Sequence, residues 1–203
     1  TILPETKDSD FSWEDFQNKV NSELADVLGN FVYRTTSFTE NYFDGQVPEL
    51  TDPTDKDRQT LAKIASQKEK ITAAYEDFKL REAIAETMNL ARIGNKYFTE
   101  MEPWHTRKDD RPTCGNTLHV CLHMTAALSI LFDPILPQKM AKLRNELNID
   151  SNPSWGDVND HILQSGASIN KGAILFEKIE DEEVEAQLEK LRQRADEQSD
   201  EPD

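Results

Sequence analysis

One apolar stripe sets the terms for this chain. Trp13, Phe16, Val20, Leu24, Val27 and Phe31 recur every three or four residues, the spacing that lines up side chains on one face of an α-helix. Ser12, with Asp15 three residues on, reads as a helix start close to a capping box. The pattern continues to about Tyr42, where Asp44-Gly45 and then Val47-Pro48 end it. A helix of that length with one apolar face needs other elements to cover the face.

The following segments supply them. After the loop QVPELTDPTDKD, a second helix is expected from about Asp57, with Leu61, Ile64, Ile71 and Tyr75 inward. A third runs from about Lys79 to Glu100, and Pro103 stops it. HTRKDDRP reads as a charged turn. The fourth, Asn116 to Phe132, is apolar on most sides and belongs at the bundle centre. Pro134 and Pro137 introduce a fifth, with Met140, Leu143 and Leu147 inward. The expected fold is all-α: an antiparallel bundle of about five main helices over 1–150, then a C-terminal extension over 151–203. In that extension SNPSWGDVNDHIL reads as a short helix, GASINKGAILFEKI as an extended, strand-like segment, and the last 24 residues as a peripheral acidic helix with a tail, QSDEPD. Seven glycines in 203 residues are too few for the turns of an all-β chain.

Charge argues against general binding to nucleic acid. The net charge is −16, and Glu177 to Asp203, with twelve acids against four bases, holds −8 of it. Affinity for phosphate backbones comes mainly from Lys and Arg. Any RNA contact must therefore be local and work against the overall field. Cys114 and Cys121 lie too far apart along a helix to bridge, which fits a reducing cytoplasm. His119 and His123 share a helical face, yet with the two cysteines they match no common zinc spacing; Cys121 reads as a small buried hydrophobe and the histidines as bundle-edge residues. No apolar run reaches membrane-spanning length. The polar start, without Met, reads as part of a longer protein.

An ordered set of phrases adds a family. NSELADVLGNFVYRTTSF, then YFDGQVPE, ARIGNKYFTEMEPW, LSILFDPILPQKMAKL and LFEKIEDE together resemble the C-terminal helical domain of methionyl-tRNA synthetases, from about Ser12 to Glu183. The resemblance implies that Asn30 and Arg34 on the first helix and Trp104 after the third recognise the CAU anticodon of methionine tRNA, with Trp104 stacking on the first base. Residues four apart share a helical face. An amide and a guanidinium fork can read unpaired base edges, and an aromatic past a helix end can hold a splayed base. Pro103, Asn95, Lys96 and Arg92 are secondary candidates for RNA contact. Tyr33 stands where relatives often have Asn, and His105 where a basic residue is common, which puts the neighbouring contacts in question.

The family's HIGH-like and KMSKS-like ATP-binding signatures are absent from this sequence. The expectation is a reader of tRNA that does not aminoacylate alone. It would partner tRNA and a catalytic domain of the same protein, with no membrane. No cofactor or metal is assigned to these residues; ATP, with zinc as an option, belongs to the catalytic domain. Two other readings stay open. One is the helical domain of another class I synthetase, such as the cysteine or valine enzyme. The other is an acidic protein-interaction domain without RNA binding, in which Asn30 and Arg34 are a solvated helix face and Trp104 a core or rim residue.

Overall fold

The computed structural model describes residues 10–149, 153–159, 161–170 and 172–199, with backbone only from 195 to 199. Its helices are α1 (Trp13–Lys19), a π-helical stretch (Val20–Gly29), α2 (Asn30–Phe43), α3 (Asp55–Glu76), α4 (Leu80–Met101), α5 (Pro103–Asp109), α6 (Arg111–Leu131), α7 (Pro137–Glu146) and α8 (Asp181–Ser199). Among the described residues there is no β-strand; the all-α expectation holds.

The first helix is not one uniform α-helix. Residues 20–29 wind as a π-helix, wider than the 3.6-residue turn, so the stripe rotates as it passes through. Phe11, Trp13 and Phe16 contact one another outside the bundle, and Phe11 and Phe16 are 66% and 40% exposed. The buried stripe starts at Leu28 and continues through Phe31, Val32, Thr35, Thr36 and Thr39. Thr36 and Thr39 satisfy their hydroxyls on the carbonyls of Val32 and Thr35, at 3.0 and 2.9 Å.

α6 is the central helix, as its composition predicts: every residue from Cys114 to Leu131 is buried. It packs on α2, α3, α4, α5 and α7. Its length and hydropathy would allow a membrane span, but its apolar stretch lies inside the bundle, with Arg111 and Pro112 at its start exposed. It starts at Arg111, five residues before the sequence reading, because the Asp110 carboxylate accepts from the Thr113 amide at 3.2 Å and the Thr113 hydroxyl at 2.6 Å. The polar residues on α6 also have tasks. Asn116 exchanges two hydrogen bonds of 2.8 Å with the Thr51 backbone, and His119 Nδ1 lies 2.8 Å from the Pro48 carbonyl oxygen. They fasten the 47–51 loop to the core. The two histidines are therefore buried, at 7% and 1% exposure, and not at the bundle edge.

The extension straps across the bundle. SNPSWGDVNDHIL forms only one 3-10 turn among its described residues, Trp155–Asp157; residues 151, 152 and 160 lie outside the described set. Trp155 donates to Thr72 Oγ1 at 2.8 Å and meets the Tyr75 ring edge-on. Further on, the backbone of Ile169 donates to Gly45 and that of Val47 to Ala167, at 2.7 and 2.9 Å. Among the described residues, which omit 171, the strand-like reading thus reduces to one isolated antiparallel bridge, Gln46 with Ser168. Leu175 and Phe176 enter the core, and α8 packs on α1. Of the expected tail, Gln198 and Ser199 are helical and residues 200–203 lie outside the described set.

Candidate nucleic-acid interface

The site is assembled at a helix break. α4 ends at Glu102, whose φ of 46° and ψ of 55° are left-handed, a conformation costing a non-glycine residue roughly 1–2 kcal/mol. That turn lets the chain leave α4 at an angle. Pro103, buried and at the first turn of α5, needs no amide partner there; its carbonyl faces Cys114 Sγ at 3.7 Å. HTRKDDRP, expected as a turn, is instead mostly α5 and the start of α6. Trp104 is the second residue of α5, half-buried against the core.

α2 brings the opposite wall. The Arg34 guanidinium carbon lies 4.3 Å from the Phe98 ring centroid and 6.0 Å from that of Trp104. Phe98 and Trp104 are themselves 6.3 Å apart. Burial pushes the Arg34 pKa down, with the nearby Cys121 thiol acting weakly the other way. The guanidinium stays charged, because arginine does not lose its proton in proteins. Its stacking holds it at about 0.5–2 kcal/mol and fixes a side chain that would otherwise sample many rotamers. Asn30, one turn earlier on α2, is exposed. Arg34 and Trp104 are thus in reach of one another, with Asn30 on the adjoining turn.

The secondary candidates are engaged elsewhere. The Asn95 amide donates to the Val27 and Ala91 carbonyls at 2.9 and 3.3 Å, tying α4 to the π-helical stretch. Arg92 pairs with Glu23, and Lys96 lies 3.8 Å from Glu100. Pro103 positions Trp104. Tyr33 and His105 are exposed, and the His105 ring lies 6.0 Å from that of Trp104.

The structure adds residues that the sequence reading did not place at the site. Phe98 is the platform under Arg34. Phe38 stands edge-on to Phe98 at 5.3 Å, and Tyr42 lies 5.1 Å from Phe38. Arg34, Phe38 and Tyr42 are spaced four apart, which was the available signal for one continuous face.

The comparisons with known proteins bear on this geometry. The family described as the anticodon binding domain of methionyl tRNA ligase matches residues 47–196. The chain belongs to that family. Residues 1–36 match a second family, tRNA synthetases class I (M). The methionine–tRNA ligase of Salinibacter ruber is 49% identical over 217 residues, covering 100% of this chain and 30% of that protein. That of Parabacteroides distasonis is 46% identical over 189 residues, 93% of this chain and 28% of that protein. The chain therefore spans about 30% of the length of these curated relatives. Among solved structures, apo methionyl-tRNA synthetase of Mycobacterium tuberculosis superposes with a TM-score of 0.76 at 24% identity, covering 84% of this chain and 35% of that one. That likeness supports the shared helical fold.

Proposed function

We propose that this domain reads the CAU anticodon of methionine tRNA through Asn30, Arg34 and Trp104, as part of an enzyme that joins methionine to tRNA with ATP. The observation that carries the reading is the stacked trio of Arg34, Phe98 and Trp104, one helical turn from exposed Asn30, in a chain of the anticodon-binding family. A flat guanidinium held over the Phe98 ring and beside Trp104 presents donors in one plane to a base edge. Trp104 offers a face on which a splayed base can stack, worth about 1–3 kcal/mol. This mode needs few phosphate contacts, which suits a chain of net charge −16. Activation of methionine, the ATP it consumes and any zinc are assigned to the remainder of the protein, and a role in translation goes with a cytoplasmic location and no membrane partner.

The test is kinetic and uses the full-length protein. Trp104→Ala should reduce kcat/KM for tRNA aminoacylation by roughly 5- to 150-fold, the equivalent of one lost stack. Methionine-dependent exchange of pyrophosphate into ATP should persist. Equal loss of both reactions would contradict the assignment, since the residue would then act through folding or the catalytic site.

A further inference from the structure

The described cations of this chain are held in several ways, and Lys139, over the Phe176 ring, shows that ring contact is not confined to the site; two of these ways matter here. Arg92, Lys56, Lys96, Arg144 and Lys178 lie within ion-pair distance of carboxylates. Arg34, Arg107 and Arg111 form no ion pair among the described residues; each instead lies over an aromatic ring. Arg107 sits 4.4 Å from the Tyr42 ring centroid and Arg111 4.5 Å from that of Phe43. Through Tyr42, Arg107 of α5 joins the ring contacts of Phe38, Phe98 and Trp104; Phe43 follows Tyr42 at the end of α2, with Arg111 from the start of α6 over it. Arg107 shares α5 with Trp104, three residues on, so the two point to neighbouring parts of one helix face.

In so acidic a chain, keeping these guanidiniums from carboxylates is informative. The nearest acid in sequence to Arg111 is Asp110, and its carboxylate is taken by the α6 cap at Thr113. A guanidinium held over a ring still carries N–H groups around its edge; the Arg107 Nε–H is itself buried and without a partner among the described residues, which leaves the terminal amino groups as the ones to meet a ligand. That edge matches phosphate oxygens, often two at a time.

We propose that Arg107 and Arg111 grip backbone phosphates of the same RNA loop whose bases Asn30, Arg34 and Trp104 read, one residue per phosphate. The inference rests on the anticodon reading above. Tyr42 and Phe43 serve as platforms that hold the two guanidiniums before the RNA arrives. Base contacts specify and phosphate contacts position, so the two sets separate experimentally.

The experiment titrates the full chain with a labelled stem-loop RNA carrying a CAU anticodon, and with the same stem-loop carrying an altered anticodon, across a salt series. Arg107→Gln and Arg111→Gln should each weaken binding of both RNAs alike, by roughly 3- to 10-fold at low salt, and leave the preference for CAU unchanged. Each should flatten the plot of log affinity against log salt by about 0.7, one neutralised phosphate of a single strand. Arg107→Lys keeps the charge and should keep the slope while losing affinity; it also controls for damage to the fold. Unchanged affinity and slope in both Gln variants would overturn the proposal. So would a lost CAU preference at unchanged slope, which would make them base readers. If Trp104→Ala erases the preference while both Gln variants are silent, the anticodon reading survives and this inference fails. A wild-type chain with no preference for CAU would sink the reading and the inference together.

Discussion

Gly94→Ala tests how the two helices behind the site are held at their spacing. A Cβ at Gly94 would lie 2.4, 2.6 and 2.8 Å from three carbons of the Phe31 ring. Phe31 is fully buried, so its ring has no free space to enter, and it directly follows Asn30 on α2. Overpacking of this kind costs about 1–3 kcal/mol. Alanine in place of glycine inside a helix returns about 0.8–1.0 kcal/mol. Three close contacts with a rigid ring place the clash in the upper part of its range, for a net loss of about 1–2 kcal/mol. For a chain of this size that lowers Tm by roughly 2–8 °C. Urea unfolding followed by helical circular dichroism gives the free energy directly. Combining Gly94→Ala with Phe31→Leu should cost less than the two changes added, because the smaller side chain relieves the clash. A midpoint that stays put or rises in Gly94→Ala would refute the reasoning, as would strict additivity of the pair.

Other outcomes follow from buried polar groups. His123 has no hydrogen-bond partner among the described residues, and burial, with smaller contributions from His119 and His161, pushes its pKa down to about 3. The unfolded chain takes up that proton near its ordinary pKa of about 6.5. Stability from this group is therefore full above about pH 6.5 and is lost as pH falls toward 3, at up to about 1.4 kcal/mol per pH unit. Unfolding of His123→Leu should show a shallower dependence between pH 4 and 6; an identical slope would contradict the assignment. Tyr97 donates from its hydroxyl to the buried carboxylate of Asp57, whose other oxygen accepts from the Thr54 amide at 2.8 Å. Tyr97→Phe should cost about 1.5–3 kcal/mol by loosening the start of α3 against α4, read as a fall in the urea midpoint at unchanged slope.

Much of the architecture was legible because it rests on periodicity. The stripes on α3 and α7 and the apolar α6 could be read directly from residue spacing. The left-handed Glu102 was not, because nothing about a glutamate announces a positive φ. The consequence was to read α5 as a turn. The π-helical winding of residues 20–29 was hidden for a related reason: an apolar stripe of mixed three- and four-residue steps fits either winding. Burial of His119 depended on a distant partner, the Pro48 carbonyl, which no local pattern reveals. At the site, Asn30, Arg34 and Trp104 came from the family resemblance; spacing alone would have left Asn30 and Arg34 as a solvated helix face and Trp104 as a core or rim aromatic. The structure supplied their setting, with Phe98 under Arg34 and the aromatic row beyond it. It also gave Arg92, Asn95 and Lys96 intramolecular partners that the sequence could not show.

The central claim is that this acidic domain recognises a loop by its bases. Its most direct test is the affinity of the full chain for a CAU stem-loop relative to stem-loops changed at one anticodon base at a time. The account predicts a loss of roughly 5- to 150-fold for change at a read base, on the scale of 1–3 kcal/mol per base contact. It also predicts that Trp104→Ala brings the CAU loop down toward the altered ones. Equal binding of all loops, undisturbed by Asn30→Ala, Arg34→Ala and Trp104→Ala, would contradict it and leave a helical domain whose partner is not an anticodon.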